Sequence, residues 1–278
     1  MFSIAMTGVS SGKLYFSRLA MQFGGPVNPA LDLTIIHELI SQINVLGALV
    51  AVAYGFNAIN KERTEGSLKV LLSYPIYRDQ IILGKLIAGL LVISLVTVVS
   101  LTVALEIYLY TTNLVFTLDQ YLRFAAFVLL SILLLCGYLG LSMLFSITFS
   151  DQKISLLAMF LLIGVFNSQS FSSYGRILSN IIFGSEPNPD VPYFPLNPQA
   201  FIFRSFISNL SPSYSYEMTA SFLQHHSIRV FVGDSYVFIP SNVWSVIRNQ
   251  LNSIVVLAII PVVTFAASYV LFTRRDIT

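Results

Sequence analysis

Residues Lys61–Lys85 read KERTEGSLKVLLSYPIYRDQIILGK, and eight of them are charged: Lys61, Glu62, Arg63, Glu65, Lys69, Arg78, Asp79 and Lys85. The apolar runs on either side, Ile35–Ala58 and Leu86–Tyr110, carry one carboxylate each, Glu38 and Glu106. Short loops rich in Lys and Arg stay on the inner side of a membrane. The island therefore predicts a cytoplasmic loop, and the remaining segments are oriented from it.

The island has its own internal pattern. Leu68, Leu71 and Leu72 fall at i, i+3 and i+4 with Lys69 off that stripe, which predicts a short amphipathic helix over Ser67–Ser73. Thr64 is a fitting cap, and Glu65 suits the partial positive charge of a helix N-terminus. Pro75 disfavours helical geometry at Tyr74 and removes a backbone donor, so this helix ends there. Asp79 then caps a second helix that runs through Gly84 and Lys85 into the bilayer.

The string Glu65-Gly66-Ser67-Leu68, then Leu71-Leu72-Ser73-Tyr74-Pro75, then Arg78 and Gly84-Lys85 resembles the coupling-helix region of type-2 ABC exporter permeases. The resemblance is to the group that includes the nitrous-oxide-reductase maturation permease. The closing residues Phe272-Thr273-Arg274-Arg275-Asp276-Ile277 are similar to how such chains end. The likeness implies a cytoplasmic coupling helix near 64–74 that docks on a separate ABC ATPase subunit through Glu65, Gly66, Ser67, Leu68, Leu71, Leu72, Pro75 and Arg78. It further implies ATP and Mg bound by that partner with no cofactor held in this chain, and a second permease subunit, identical or different.

Composition reaches the membrane class without the motif. Hydrophobic residues make up 55% of the chain and charged residues 10%, with a mean hydropathy of +0.77. Soluble domains carry about a quarter charged residues, so an all-α polytopic membrane protein is predicted. One cysteine, Cys136, rules out an internal disulfide framework. The net charge of +2, with basic residues held at membrane edges, gives no basic face for a nucleic acid.

Five transmembrane helices are visible, and a truncated first one would make six. Met1–Val9 is apolar but short of the ~20 residues a crossing needs, and Gly8…Gly12-Lys13 falls short of a phosphate loop by one residue and a hydroxyl. Lys13–Leu33 reads as an external connection. Ile35–Ala58 follows, opening with His37, Ser41 and Asn44 at i, i+4 and i+7. These are candidate pathway-lining residues; the simpler and preferred reading is a helix that protrudes before it becomes apolar.

Leu86–Tyr110 runs outward to Tyr108 and Tyr110, which suit an interfacial aromatic belt. Leu114–Tyr121 is an external link, and Phe124–Phe149 returns with Cys136, Gly137, Gly140 and Ser142 for close packing. After a tight turn at Asp151-Gln152-Lys153, Ile154–Phe166 is too short for a crossing. It meets Asn167-Ser168-Gln169-Ser170, which predicts a broken span completed by Ile177–Phe183, an interruption that the family resemblance also implies. Leu251–Phe272 is the last span, stopped by Arg274-Arg275 on the inner side.

The chain thus divides into a transmembrane part over 1–183, an external loop region over 184–248, and a final helix with a cytoplasmic tail over 249–278. The external region opens with a proline-rich stretch through Pro198 and holds a helix over Ser211–Gln224 with Ser213 as its cap. Ile228–Val232 and Ser235–Ile239 flank Gly233-Asp234 as a β-hairpin. His225-His226 is weak evidence for a metal without a neighbouring carboxylate or cysteine, and no metal ligand set is assigned. Eight of the 15 Lys and Arg residues (Lys61, Arg63, Lys69, Arg78, Lys85, Lys153, Arg274, Arg275) fall on the inner side in this arrangement.

Two classes of function fit a cell-membrane, multi-pass chain with an inward C-terminus. The first is the permease subunit of an ABC transporter, an exporter driven by a separate ATPase, since no complete phosphate loop occurs in the chain. The second is a membrane-embedded enzyme or ion-coupled secondary carrier, which would carry ionisable residues deep in its spans. The substrate is not legible.

Overall fold

A computed structural model describes residues 34–64, 78–113, 115–149, 151–184, 198–224, 227–232, 235–240 and 242–274. Helix α1 (Thr34–Gln42) passes through a π turn (Ile43–Gly47) into α2 (Ala48–Thr64). Then come α3 (Arg78–Thr112), α4 (Leu118–Thr148), α5 (Gln152–Val165) and α6 (Ser168–Phe183). Helices α7 (Pro198–Asn209) and α8 (Pro212–Gln224) precede strands β1 (Ser227–Val232) and β2 (Ser235–Pro240). Helices α9 (Val243–Asn249) and α10 (Leu251–Arg274) close the chain.

Four segments are long and apolar enough to cross a membrane: Glu38–Phe56, Gln80–Thr112, Leu118–Thr148 and Leu251–Arg274. The bent pair Lys153–Val165 and Ser170–Phe183, 60° apart, is a fifth when counted as one broken span. The chain is an all-α polytopic membrane protein with a small two-stranded hairpin, in which Ser227 pairs with Pro240 and Val232 with Ser235. At 1.5 Å per residue, α3 with 35 residues is ~52 Å long and α4 with 31 is ~46 Å. Both exceed the ~30 Å of hydrocarbon.

Helix α4 is the centre of the bundle. Of its apolar window 61% is buried, against 33%, 28% and 22% for the α1–α2, α3 and α10 spans. Small residues let neighbours approach it closely, as packing in lipid requires. A Cβ on Gly55 would stand 2.8 Å from the Cβ of Ser142 and 3.0 Å from the Leu139 carbonyl oxygen. One on Gly140 would overlap the Thr264 hydroxyl and the Phe265 ring.

Hydroxyls then bind across these seams to carbonyls of the facing helix. Ser142 Oγ donates to Val52 O and Ser146 Oγ to Phe56 O, each at 2.9 Å, and Ser268 Oγ donates to Gly140 O at 3.4 Å. Gly89 of α3 packs on Leu139 and Tyr54 at the same level. These contacts align the end of α2, the start of α3, the end of α4 and the end of α10 at one face of the bundle.

Helix boundaries differ from the sequence reading in four places. The span read as ending at Ala58 continues to Thr64, so Thr64, read as a cap, is the last residue of α2. The span read as starting at Phe124 starts at Leu118, because Thr117-Leu118-Asp119-Gln120 forms a capping box in which Thr117 N–H donates to Gln120 Oε1 at 2.7 Å. The broken fifth span resumes at Ser168 and not at Ile177. Ser211, not Ser213, caps α8: its Oγ accepts the Tyr214 N–H at 3.2 Å. Ser213 instead faces Tyr138.

Gly55→Leu is expected to force α2 off α4 against the Leu139 backbone, lowering stability by roughly 2 kcal/mol, whereas Ser146→Ala removes one interhelical hydrogen bond worth about 0.6 kcal/mol. Thermal unfolding in detergent checks both, and an unchanged midpoint for Gly55→Leu contradicts the close approach.

Candidate functional site

Helix α8 is drawn from the stretch that reads as external, yet it packs deep in the bundle between α1 and α4. Three contacts fix its course. The Ser213 hydroxyl is hydrogen-bonded to Tyr138 Oη at 2.6 Å, Tyr216 Oη to Ser131 Oγ at 3.1 Å, and Arg123 Nη1 donates to Leu223 O at 3.4 Å. The α4 partners descend in number as the α8 residues rise, so α8 runs antiparallel to α4 along its N-terminal half. Ser131 already donates to Phe127 O at 2.8 Å, so Tyr216 is the donor to Ser131.

The chain reaches this position through two interruptions that meet. Ser211, between α7 and α8, donates to the carbonyl of Phe166, between α5 and α6. Ser170 Oγ donates to Gly164 O at 3.2 Å, Ser215 Oγ to Asn209 O at 2.9 Å, and Ser253 Oγ of α10 to Asn209 Oδ1 at 3.2 Å. Between the interruptions α6 and α7 form a hairpin whose inner faces are small: Gly175 lies against Arg204 O, and Ser179 Oγ donates to Ala200 O at 3.4 Å. Its outer faces expose Ile177, Ile181, Ile202 and Phe206.

At the far end of α8 lies Arg123, which sequence reasoning passes over. Its side chain is fully buried, paired with Asp119 at 2.7 Å, and it places positive charge on the C-terminal carbonyls of α8. The i, i+4 spacing of Asp119 and Arg123 at the head of an apolar run is the signal that marks it.

Of the candidate lining residues, Asn44 is buried in the π turn with its Oδ1 lacking a partner, while Ser41 is exposed and its hydroxyl donates to Glu38 O at 3.4 Å. The structure does not bring these two to one face. The His37 side chain lies outside the described residues, as do His225 and His226. Glu65, Gly66, Ser67, Leu68, Leu71, Leu72 and Pro75 also lie outside them. Arg78 opens α3, its side chain again outside the description. Segment 65–77 follows α2 and precedes α3 in the chain. Among the described residues no cluster of metal-ligating side chains occurs.

These features define a multi-pass membrane protein whose interior is a packed polar seam built by a half-helix. The family described as ABC-2 family transporter protein matches residues 19–277, and the chain belongs to it. It is a membrane permease subunit of an ABC transporter, a family of transport subunits that normally work with an ABC ATPase subunit. A comparison with curated proteins finds no match.

Arg123→Met is expected to strand the α8 terminus and Asp119, costing about 2 kcal/mol or more, and Arg123→Lys should recover part of that. Equal unfolding midpoints for Arg123→Met and the unaltered chain would contradict the assignment.

Proposed function

We propose that this chain is the membrane half of an ATP-driven exporter, close in kind to the nitrous-oxide-reductase maturation permeases, working as a homodimer or heterodimer of permeases. The supporting observation is the family match over 19–277, together with the Lys and Arg residues at the end of the bundle where α2 finishes and α3 starts. Basic residues at membrane edges favour the cytoplasmic side, so that end and the C-terminus face inward. ATP and Mg belong to the partner subunit.

On this reading the helix near 64–74 enters a groove of the ATPase, with Leu68, Leu71 and Leu72 as apolar anchors in the manner of helix-in-groove recognition. Glu65 and Arg78 orient it, Gly66 and Ser67 shape its start, and Pro75 ends it. Work done on that helix passes directly into α2 and α3, the two helices it joins. The substrate pathway runs along the outer half of α1 and α8, where Asn44 supplies a buried polar group.

The alternative of an ion-coupled carrier or membrane enzyme draws no support from the described spans: Glu38, Lys85, Glu106, Asp119, Arg123, Lys153 and Arg274 stand toward helix ends, and Arg176, midway along α6, is exposed. Leu71→Asp or Leu72→Asp is expected to abolish co-purification of the ATPase subunit while the permease still reaches the membrane. Undiminished co-purification and transport in both would overturn the docking role. A cysteine label at position 69 should react only after the membrane is opened from the inner side.

A further inference from the structure

The three polar positions 37, 41 and 44 pose a problem of register. In an uninterrupted α-helix they continue the stripe of Ala48, Ala51, Val52 and Gly55, since every step is three or four residues. That lower stripe is buried against α4 as expected. Above the π turn, however, the buried positions are Ile35, Ile36 and Ile40, with Asn44 buried in the turn itself, and Ser41 is exposed. A π turn takes up one residue more than the α-helix does over the same rise. It therefore rotates everything N-terminal to it by one position, about 100°.

The two registers differ in chemistry. With the π turn present, Ile36 and Ile40 fill the inward slots of α1. Without it, the same slots belong to positions 37 and 41, a histidine and a serine. Asn44 is the residue that feels the exchange most. In the present register its Oδ1 is buried and unpartnered, and in the α register it moves to the half-buried slot that Ile43 now holds. Val45 and Leu46, the residues of the turn that face outward, are both about half exposed and leave room for it to change.

We propose that Ile43–Gly47 is a register switch in the first described span. Its π form closes the outer half of the bundle with Ile36 and Ile40, and its α form turns α1 to present the polar positions 37 and 41 inward. The switch itself rests on geometry alone; the proposed transport function supplies only what drives it.

The test uses the full-length chain in lipid nanodiscs with Cys136→Ala as background and N-ethylmaleimide as probe. Ser41→Cys should label quickly. Ile40→Cys should label slowly but measurably, through a minor α form. Removing Leu46 shortens the turn to an α-helix while keeping Ile36 and Ile40 inward, so it should slow Ile40→Cys labelling at least about tenfold, as closing off a minor state of roughly 0.1–10% requires.

Asn44→Leu, which favours the form that buries position 44, should slow it in the same direction, and it decides the matter if the shortened chain does not assemble. An unreactive Ile40→Cys, or rates unmoved by both changes, would overturn the switch. With the ATPase subunit assembled, vanadate trapping should shift the Ile40→Cys rate. Intact switching that ignores nucleotide would leave the switch standing and count against the ATP-driven reading.

Discussion

Irregular backbone inside an apolar bundle has to find its hydrogen-bond partners within the protein, because lipid supplies none. The structure is arranged around that constraint. Its two interior interruptions, at Phe166–Asn167 and at Leu210–Ser211, meet, and the Ser211 hydroxyl serves both: it donates to Phe166 O and accepts from Tyr214 N–H. Had the interruptions been separated, each would have exposed carbonyls to hydrocarbon at a cost of several kcal/mol per group. Pairing them lets α8 start in the middle of the bundle and lets the α6–α7 hairpin leave it.

The second requirement is a surface on which such a half-helix can sit. Helix α4 provides it by dividing its length. Its C-terminal half carries Gly137, Gly140, Ser142 and Ser146, receiving the backbone of α2 on its serines and the side chains of α10 on its glycines. Its N-terminal half carries Arg123, Phe127 and Ser131, larger groups that, with Tyr138 just past the middle, reach α8 through side chains. Apolar burial alone does not favour one helix over another in lipid, so the small residues and the hydroxyls set the register on both halves.

Hydropathy made the spans legible, and basic residues made the charged stretch Lys61–Lys85 stand out, because both properties are carried by many residues at once; its two ends, Lys61–Thr64 and Arg78–Lys85, are helical and not loop. The capping box at Thr117–Gln120 carries a signal of its own, but with Leu114–Tyr121 read as a link the helix start at Leu118 was missed. Ser213 was a fair cap by residue type, but Ser211 won because only it lies where the Phe166 carbonyl also needs a donor. The depth of α8 was not legible: its sequence SPSYSYEMTASFLQ is polar enough for water, and its serines and tyrosines are spent instead on Ser131, Tyr138 and neighbouring backbone. The π turn is hidden for a different reason. A single extra residue changes no composition and no periodicity on either side, only the phase between them.

That phase difference bears on how the two ends of the molecule differ mechanically. Near the basic end, α2, α3, α4 and α10 meet through glycine contacts in which a single Cβ would collide, as at Gly55 and Gly140. Packing this tight transmits displacement with little deformation. Toward the other end the continuity of the helices is broken, by the π turn in one span and by the 60° bend in another. Helix α8 packs against α1, which leads into the π turn, and against α6, which follows the bend. On the proposed reading, force received at segment 65–77 would travel through the rigid half almost unchanged and be converted to rotation where helical phase can slip. A fully regular bundle of the same composition would move as one body and would have no such place to open.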